Sequence, residues 1–177
     1  MSPADHTFPA GRVQLLDVTA EILEELLGVA VTDAAPDDVT PPLGDADGWN
    51  PERIRWFRDY HRAAAAGLDG PAAQKTWAIS CDGQIAGSIR LKRPGTAPTA
   101  GSPLETGLWL GRSFRGRGIG REALMLVRDV ASRAGASMLQ AETTAGNLAA
   151  RALLRSAGAE LEEEAVASRV TARISLP

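Results

Sequence analysis

The sequence predicts a mixed α/β protein: one twisted, mostly antiparallel sheet with helices on both of its faces. Three observations carry that expectation. Segments of strand length and segments of helical period follow one another in the order β-α-α-β-β-β-α-β-α-β-β. Asp82-Gly83 joins two apolar-rich segments as a short, favourable hairpin turn. The 177 residues, 44% of them hydrophobic, show no internal repeat and suffice for one core, so the chain reads as a single domain over 1–177.

Each element has a local cause. Residues 12–17 form the first strand. Thr19 caps a helix that carries Ile22, Leu23, Leu26 and Leu27 on one stripe. Residues 33–50, DAAPDDVTPPLGDADGWN, are rich in Pro, Gly and Asp and read as a long loop; at that length it is functional or disordered. Asn50-Pro51 starts the second helix, because a capping side chain precedes a proline whose missing N–H costs nothing at the first helical position. That helix places Ile54, Phe57 and His61 at i, i+3 and i+7 and ends near Gly67.

Strands 75–81 and 84–93 make the hairpin, and 94–104 is a loop of turn-forming residues. A strand at 105–110 leads through a glycine-rich turn into a helix over 118–134, with Ala123, Leu124, Val127 and Val130 facing inward. A strand at 137–142 follows, then a helix from Asn147 to Ser156 closed by Gly158. Alternation over 159–176 completes the chain as a terminal hairpin.

Composition excludes several classes. A formal net charge of −3 argues against a general nucleic-acid binder and a polybasic membrane anchor. Cys81 is the only cysteine, and His6 and His61 are the only histidines, so no disulfide framework and no metal cluster is expected. No apolar run approaches the roughly 18–20 residues of a membrane span. The opening MSPADHTFPA lacks the basic and apolar regions of a secretory signal, so a cytoplasmic location is expected. Charge is nevertheless uneven. Residues 1–50 carry ten acids and one base, Arg12, while 111–135 carry six arginines against Glu122 and Asp129. Solvated helix faces would explain both blocks. The central block has more to it.

Arg115-Gly116-Arg117-Gly118-Ile119-Gly120, followed by Arg121, lies between a strand and a helix. Small residues there let backbone N–H groups converge, and the helix start adds partial positive charge, which suits a pyrophosphate. A Walker loop is excluded, since the only lysines are Lys75 and Lys92. A dinucleotide fingerprint is excluded too, because the third glycine comes one residue early.

On these residues the chain resembles the GCN5-related N-acetyltransferase (GNAT) superfamily. Arg115, Gly118 and Gly120 match that family's (Arg/Gln)-x-x-Gly-x-(Gly/Ala) motif, and GLWLGRSF before it matches the family's strand and turn. Asn147 and its Ala-rich helix look like a later family motif. The resemblance implies a GNAT fold, acetyl-CoA as co-substrate, no metal, and transfer to an amine. It implies that the backbone around Leu108, Trp109 and Leu110 forms a bulged strand edge holding the acetyl carbonyl and pantetheine. Residues 115–121 would cradle the pyrophosphate, and Asn147 would contact the pantetheine arm. A V-shaped slot would open between the strands after 110 and at 137–142. Homodimers through a sheet edge are common among similar proteins.

An ammonium has no lone pair, so a base must take its proton first. Glu105, where many members of the superfamily place a glutamate, and Glu142 are the two candidates. The family's usual tyrosine acid is replaced by Leu154, which leaves Tyr60 or a water. The two N-terminal helices and their loop would wall the acceptor site with Asp33, Asp37, Asp38, Trp49, Phe57, Tyr60 and His61, a set suited to a small cationic or sugar-like amine. The segments GWNPERIRWFRDYHR and GLDGP are similar to aminoglycoside 2′-N-acetyltransferases of the kasugamycin-inactivating type. An Nα-acetyltransferase of a ribosomal protein and a non-catalytic acetyl-CoA-binding module are the alternatives.

Overall fold

The computed structural model describes residues 12–45, 47–95 and 99–177. The start of the acidic 1–50 stretch, with His6, and the tip of the 94–104 loop lie outside them. Seven strands form one sheet: β1 (Val13–Asp17), β2 (Gln74–Cys81), β3 (Gln84–Lys92), β4 (Leu104–Leu110), β5 (Met138–Thr144), β6 (Glu160–Glu164) and β7 (Arg169–Ser175). Their order across the sheet is β1-β2-β3-β4-β5-β7-β6. All neighbours are antiparallel except β4 and β5. That pair is parallel because the long helix α4 (Ile119–Arg133) carries the chain back between them. The expected fold class is what forms.

The helices divide between the two faces. Helix α1 (Ala20–Asp33) buries Leu23, Leu26, Leu27 and Ala30, the stripe its spacing predicts, and Thr19 Oγ1 caps it at Ile22 N (3.2 Å). Helix α3 (Pro51–Ala63) is capped by Asn50 at Arg53 N (2.9 Å) and buries Phe57 and His61. These two pack with Ala78 and Ile85 on one sheet face. On the other face α4 buries Ile119, Ala123, Leu124 and Val127 against Ile79, Ile89, Leu91 and Leu104, with Leu154 of α5 (Leu148–Ser156) beside them.

Two expectations require correction. The 33–50 loop contains a one-turn helix, α2 (Pro36–Val39). Pro36 begins that turn and Asp37 and Asp38 lie in it, a pairing that favours a helix start. The bulge expected around Leu108–Leu110 is also absent, since β4 pairs with β3 without interruption from Glu105 to Leu110. The register shift instead falls between β2 and β3, where Ile79 faces Gly87 and Ser80 faces Ile85, leaving Ala86 as the extra residue.

Gly87, next to that bulge, is where β3 and β4 approach most closely. A Cβ there would lie 2.0 Å from the Trp109 carbonyl oxygen and 2.9 Å from Leu110 Cα. Both are backbone atoms, so the strand itself would have to move. Gly87→Ala is therefore expected to destabilise the fold by about 1–3 kcal/mol or more, read from urea unfolding.

Candidate active site

Cross-strand register builds the site. Gln74, Lys92, Glu105 and Gln140 form one row across β2, β3, β4 and β5, and Thr76, Arg90 and Gly107 form the next. Directly paired residues share a face, so these side chains stand on the α3 side of the sheet. Trp56, Phe57, Tyr60 and His61 of α3 roof a cleft of about 380 Å³ above this floor, with Asp38, Leu108 and Trp109 at its margin.

Glu105 is held at one side of the floor, its Oε1 accepting from Arg90 Nη2 at 2.6 Å. The guanidinium reaches it by lying across Gly107, where a Cβ would come within 3.3 Å of Arg90 Nε. Tyr60 stacks on Trp56, ring centroids 4.7 Å apart. Burial raises its phenol above the ordinary range; the Arg90 cation and a hydrogen bond with Gln74 oppose that rise, and the Glu105 charge adds to it. Tyr60 is thus a neutral O–H donor at neutral pH.

His61 Nδ1 and Thr76 Oγ1 share a hydrogen bond of 2.9 Å, and burial pushes the imidazole down to about 4. At neutral pH it is uncharged. A depressed pKa contributes stability above the unfolded value of 6.5 that is lost as the pH falls towards 4. Thermal melts between about pH 7 and about pH 4 are expected to show that loss, and His61→Gln is expected to flatten the slope.

The cofactor side opens where β4 and β5 part. They pair only over Leu104–Thr106 and Leu139–Ala141, so the edge of β4 from Gly107 to Leu110 has no strand on that side. Beyond the gap, Gly116 and Gly118 take positive φ (72° and 78°), and a Cβ on either would meet nothing within 4 Å. Gly118 precedes α4, and no side chain caps that helix start. An open, uncapped first turn with glycines before it fits a pyrophosphate.

The remaining predicted site residues fall into distinct roles. Ile119 and Gly120 are buried, and a Cβ on Gly120 would make ordinary contacts with Leu153 Cδ2 (3.4 Å) and Leu110 Cδ1 (3.5 Å). Arg117 and Arg121 are exposed, with the Arg117 guanidinium 5.6 Å from the Phe114 ring centre. Arg115 donates from Nε to the Leu110 carbonyl (3.0 Å) and from Nη2 to Asp38 Oδ2 (3.3 Å). Asn147 Oδ1 caps α5 at Ala150 N (3.1 Å). Glu142 is exposed on β5, one residue past the last pair with β4, and outside the cleft.

Three of the expected acceptor residues have partners within the chain. Asp33 accepts from the Ser113 N–H (3.1 Å) and hydroxyl (2.5 Å), which hold its carboxyl below the usual carboxylate range and tie the end of α1 to the turn after β4. Asp37 pairs with the buried Arg53 at 2.8 Å. Trp49 donates to the Ala34 carbonyl (3.1 Å) and meets Phe57 edge-on. All three secure the α1–α3 layer. Conversely, Arg90, Lys92, Gln74, Thr76 and Trp56 were not expected in the site. Alternation along β3 carried that signal: Ser88, Arg90 and Lys92 fall on one face, between Ile89 and Leu91.

A parallel strand pair parted beside a glycine-rich helix start, with a cleft on the adjoining face, is an arrangement suited to group transfer. The family model described as acetyltransferase (GNAT) domain matches residues 29–160, and the chain belongs to that family. It is an acetyltransferase with acetyl-CoA as its acetyl donor. No curated protein matches the sequence.

Among solved structures, the GNAT domain of S. lividans PAT is 17% identical, with a TM-score of 0.69 over 93% of this chain and 89% of that one. The microcin C7 self-immunity acetyltransferase MccE, in complex with acetyl-CoA and AMP, is 16% identical, with a TM-score of 0.68 over 94% and 93%. An acetyl transferase from Salmonella typhimurium that modifies the N-terminal serine of ribosomal protein L7/L12 is 14% identical, with a TM-score of 0.71 over 95% and 97%. At these identities the likeness is one of fold. Among the described residues no helix is long and apolar enough to cross a membrane.

Proposed function

We propose that this protein, as one domain over 1–177, acetylates a primary amine on a small, sugar-like acceptor, an aminoglycoside of the kasugamycin type. The observation that carries this reading is the cleft itself. Its roof comes from the segment GWNPERIRWFRDYHR, the stretch whose resemblance to such enzymes the sequence shows, and its volume of about 380 Å³ suits a small molecule. Aromatic faces from Trp56, Tyr60 and Trp109 offer an apolar surface to a ring, and Gln74, Thr76 and Ser88 offer polar groups.

Acetyl-CoA, when bound, supplies the acetyl group as an activated thioester. The backbone of 115–121 would hold its pyrophosphate, with Arg117 and Arg121 adding charge, and the free β4 edge at Leu108–Leu110 would hold its arm, with Asn147 beside it. Glu105 takes the proton of the incoming ammonium; Arg90 fixes that carboxylate in place. Tyr60, kept protonated by burial, is the O–H donor in the cleft suited to return a proton to the leaving sulfur. Neither carboxylate is among the cleft-lining residues; the ion pair that ties Glu105 to Arg90, which does line the cleft, favours Glu105 over Glu142.

The ribosomal neighbour supports a second reading, acetylation of a peptide N-terminus. Thiol release from acetyl-CoA, measured across kasugamycin, other aminoglycosides, polyamines and peptides, tests both. Release with kasugamycin, with one acetyl group added by mass spectrometry, is the expected result. Efficient acetylation of peptides with aminoglycosides untouched would replace the first reading by the second.

A further inference from the structure

We propose that the acceptor carries a carboxylate on the same molecule as its reacting amine, and that Lys92, beside Arg90, receives it; this rests on the cleft being the acceptor site. Lys92 is exposed, lines the cleft, and has no ion pair among the described residues. Its cross-strand partners are Gln74 and Glu105. Glu105 is already bound to Arg90 at 2.6 Å, and Asp38, the acid in the cleft margin, is held by Arg115. The acids expected to make this wall negative, Asp33 and Asp37, bond elsewhere. Glu142 stands on β5 beyond the parted strands and does not line the cleft. His61 is neutral. The floor therefore keeps a cation that the chain does not neutralise.

The register also sets that cation's strand position directly opposite Glu105. Directly opposed residues on antiparallel strands have Cβ atoms about 5 Å apart. An acceptor whose carboxylate meets Lys92 thus sets an amine a few bonds away beside Glu105, within the span of one sugar-sized molecule. A carboxylate receives charge-assisted hydrogen bonds from the ammonium, whereas a polyamine would meet Lys92 and Arg90 as repulsion. Lys92 in this account selects the acceptor and takes no part in proton transfer.

The pair 2-amino-2-deoxyglucuronic acid and its 6-carboxamide differs in that charge alone. With acetyl-CoA saturating, the acid is expected to show a KM about tenfold or more below that of the amide. Lys92→Gln should raise the KM for the acid to that for the amide, and Lys92→Arg, which keeps the charge, should retain the preference for the acid. Calorimetry of the two probes against CoA-loaded protein should give the same ranking without turnover. Equal KM values, a preference for the acid that survives Lys92→Gln, or acetylation of amines lacking a carboxylate in preference to both would overturn the proposal. Absence of thiol release with every amine tried would instead overturn the acceptor-cleft reading beneath it.

Discussion

Glu105→Gln is expected to lower the turnover of acetyl transfer by roughly 10²–10⁴-fold, the contribution of one positioned general base. The replacement is close to isosteric, and its amide oxygen still accepts from Arg90, so the floor of the cleft keeps its shape. What disappears is the ability to take a proton from an ammonium, which cannot attack a carbonyl while its lone pair is occupied. CoA affinity, read by calorimetry, should be unchanged, because Glu105 lies where β4 and β5 are still paired and the cofactor edge begins at Gly107. The acidic limb of the pH–rate profile should vanish with it. If Glu142→Gln gives this result and Glu105→Gln does not, the base stands on the other strand. If neither does, water carries the proton away unaided.

How far such a site can be read from sequence depends on whether its cause is local. The α1 stripe, the Asn50-Pro51 helix start and the Asp82-Gly83 turn each depend on residues within one or two turns of chain, and all three form as expected. The glycine motif before α4 was legible for the same reason. The partners of the acidic segment are not local and were not legible. Asp33 finds Ser113 eighty positions away, and Asp37 finds Arg53 sixteen away. Counting charge over 1–50 could not reveal that these carboxylates bond to this chain's own donors. Alternation along β3 did announce that Ser88, Arg90 and Lys92 share a face. Only the sheet order shows that this face lies under α3 and beside Glu105. The bulge was displaced for a similar reason: the register is set jointly by two strands, and Ala86 takes the extra position because Gly87 allows β4 to close on β3.

Gly118→Val is expected to reduce CoA affinity by about 100-fold or more while leaving the protein folded. Gly118 takes φ 78°, in the left-handed region, at the entrance to α4. A β-branched residue there costs roughly 1–2 kcal/mol in backbone strain, well below the roughly 5–15 kcal/mol that holds a typical domain together. No atom lies within 4 Å of the position its Cβ would take, so no clash adds to that cost. The empty volume is the one in front of the uncapped first turn of α4, where a phosphate must approach the backbone N–H groups closely. Valine methyl groups would fill it and hold the phosphate off. Gly120→Ala, two residues further into α4, is the control: its Cβ would make ordinary contacts with the Leu153 and Leu110 side chains and alanine favours the helix, so thermal stability should hold or rise. Circular dichroism and calorimetry with CoA separate the two effects. Gly118→Val binding CoA as tightly as the wild type would mean that the pyrophosphate is held elsewhere, and the glycine motif would then be a turn and nothing more.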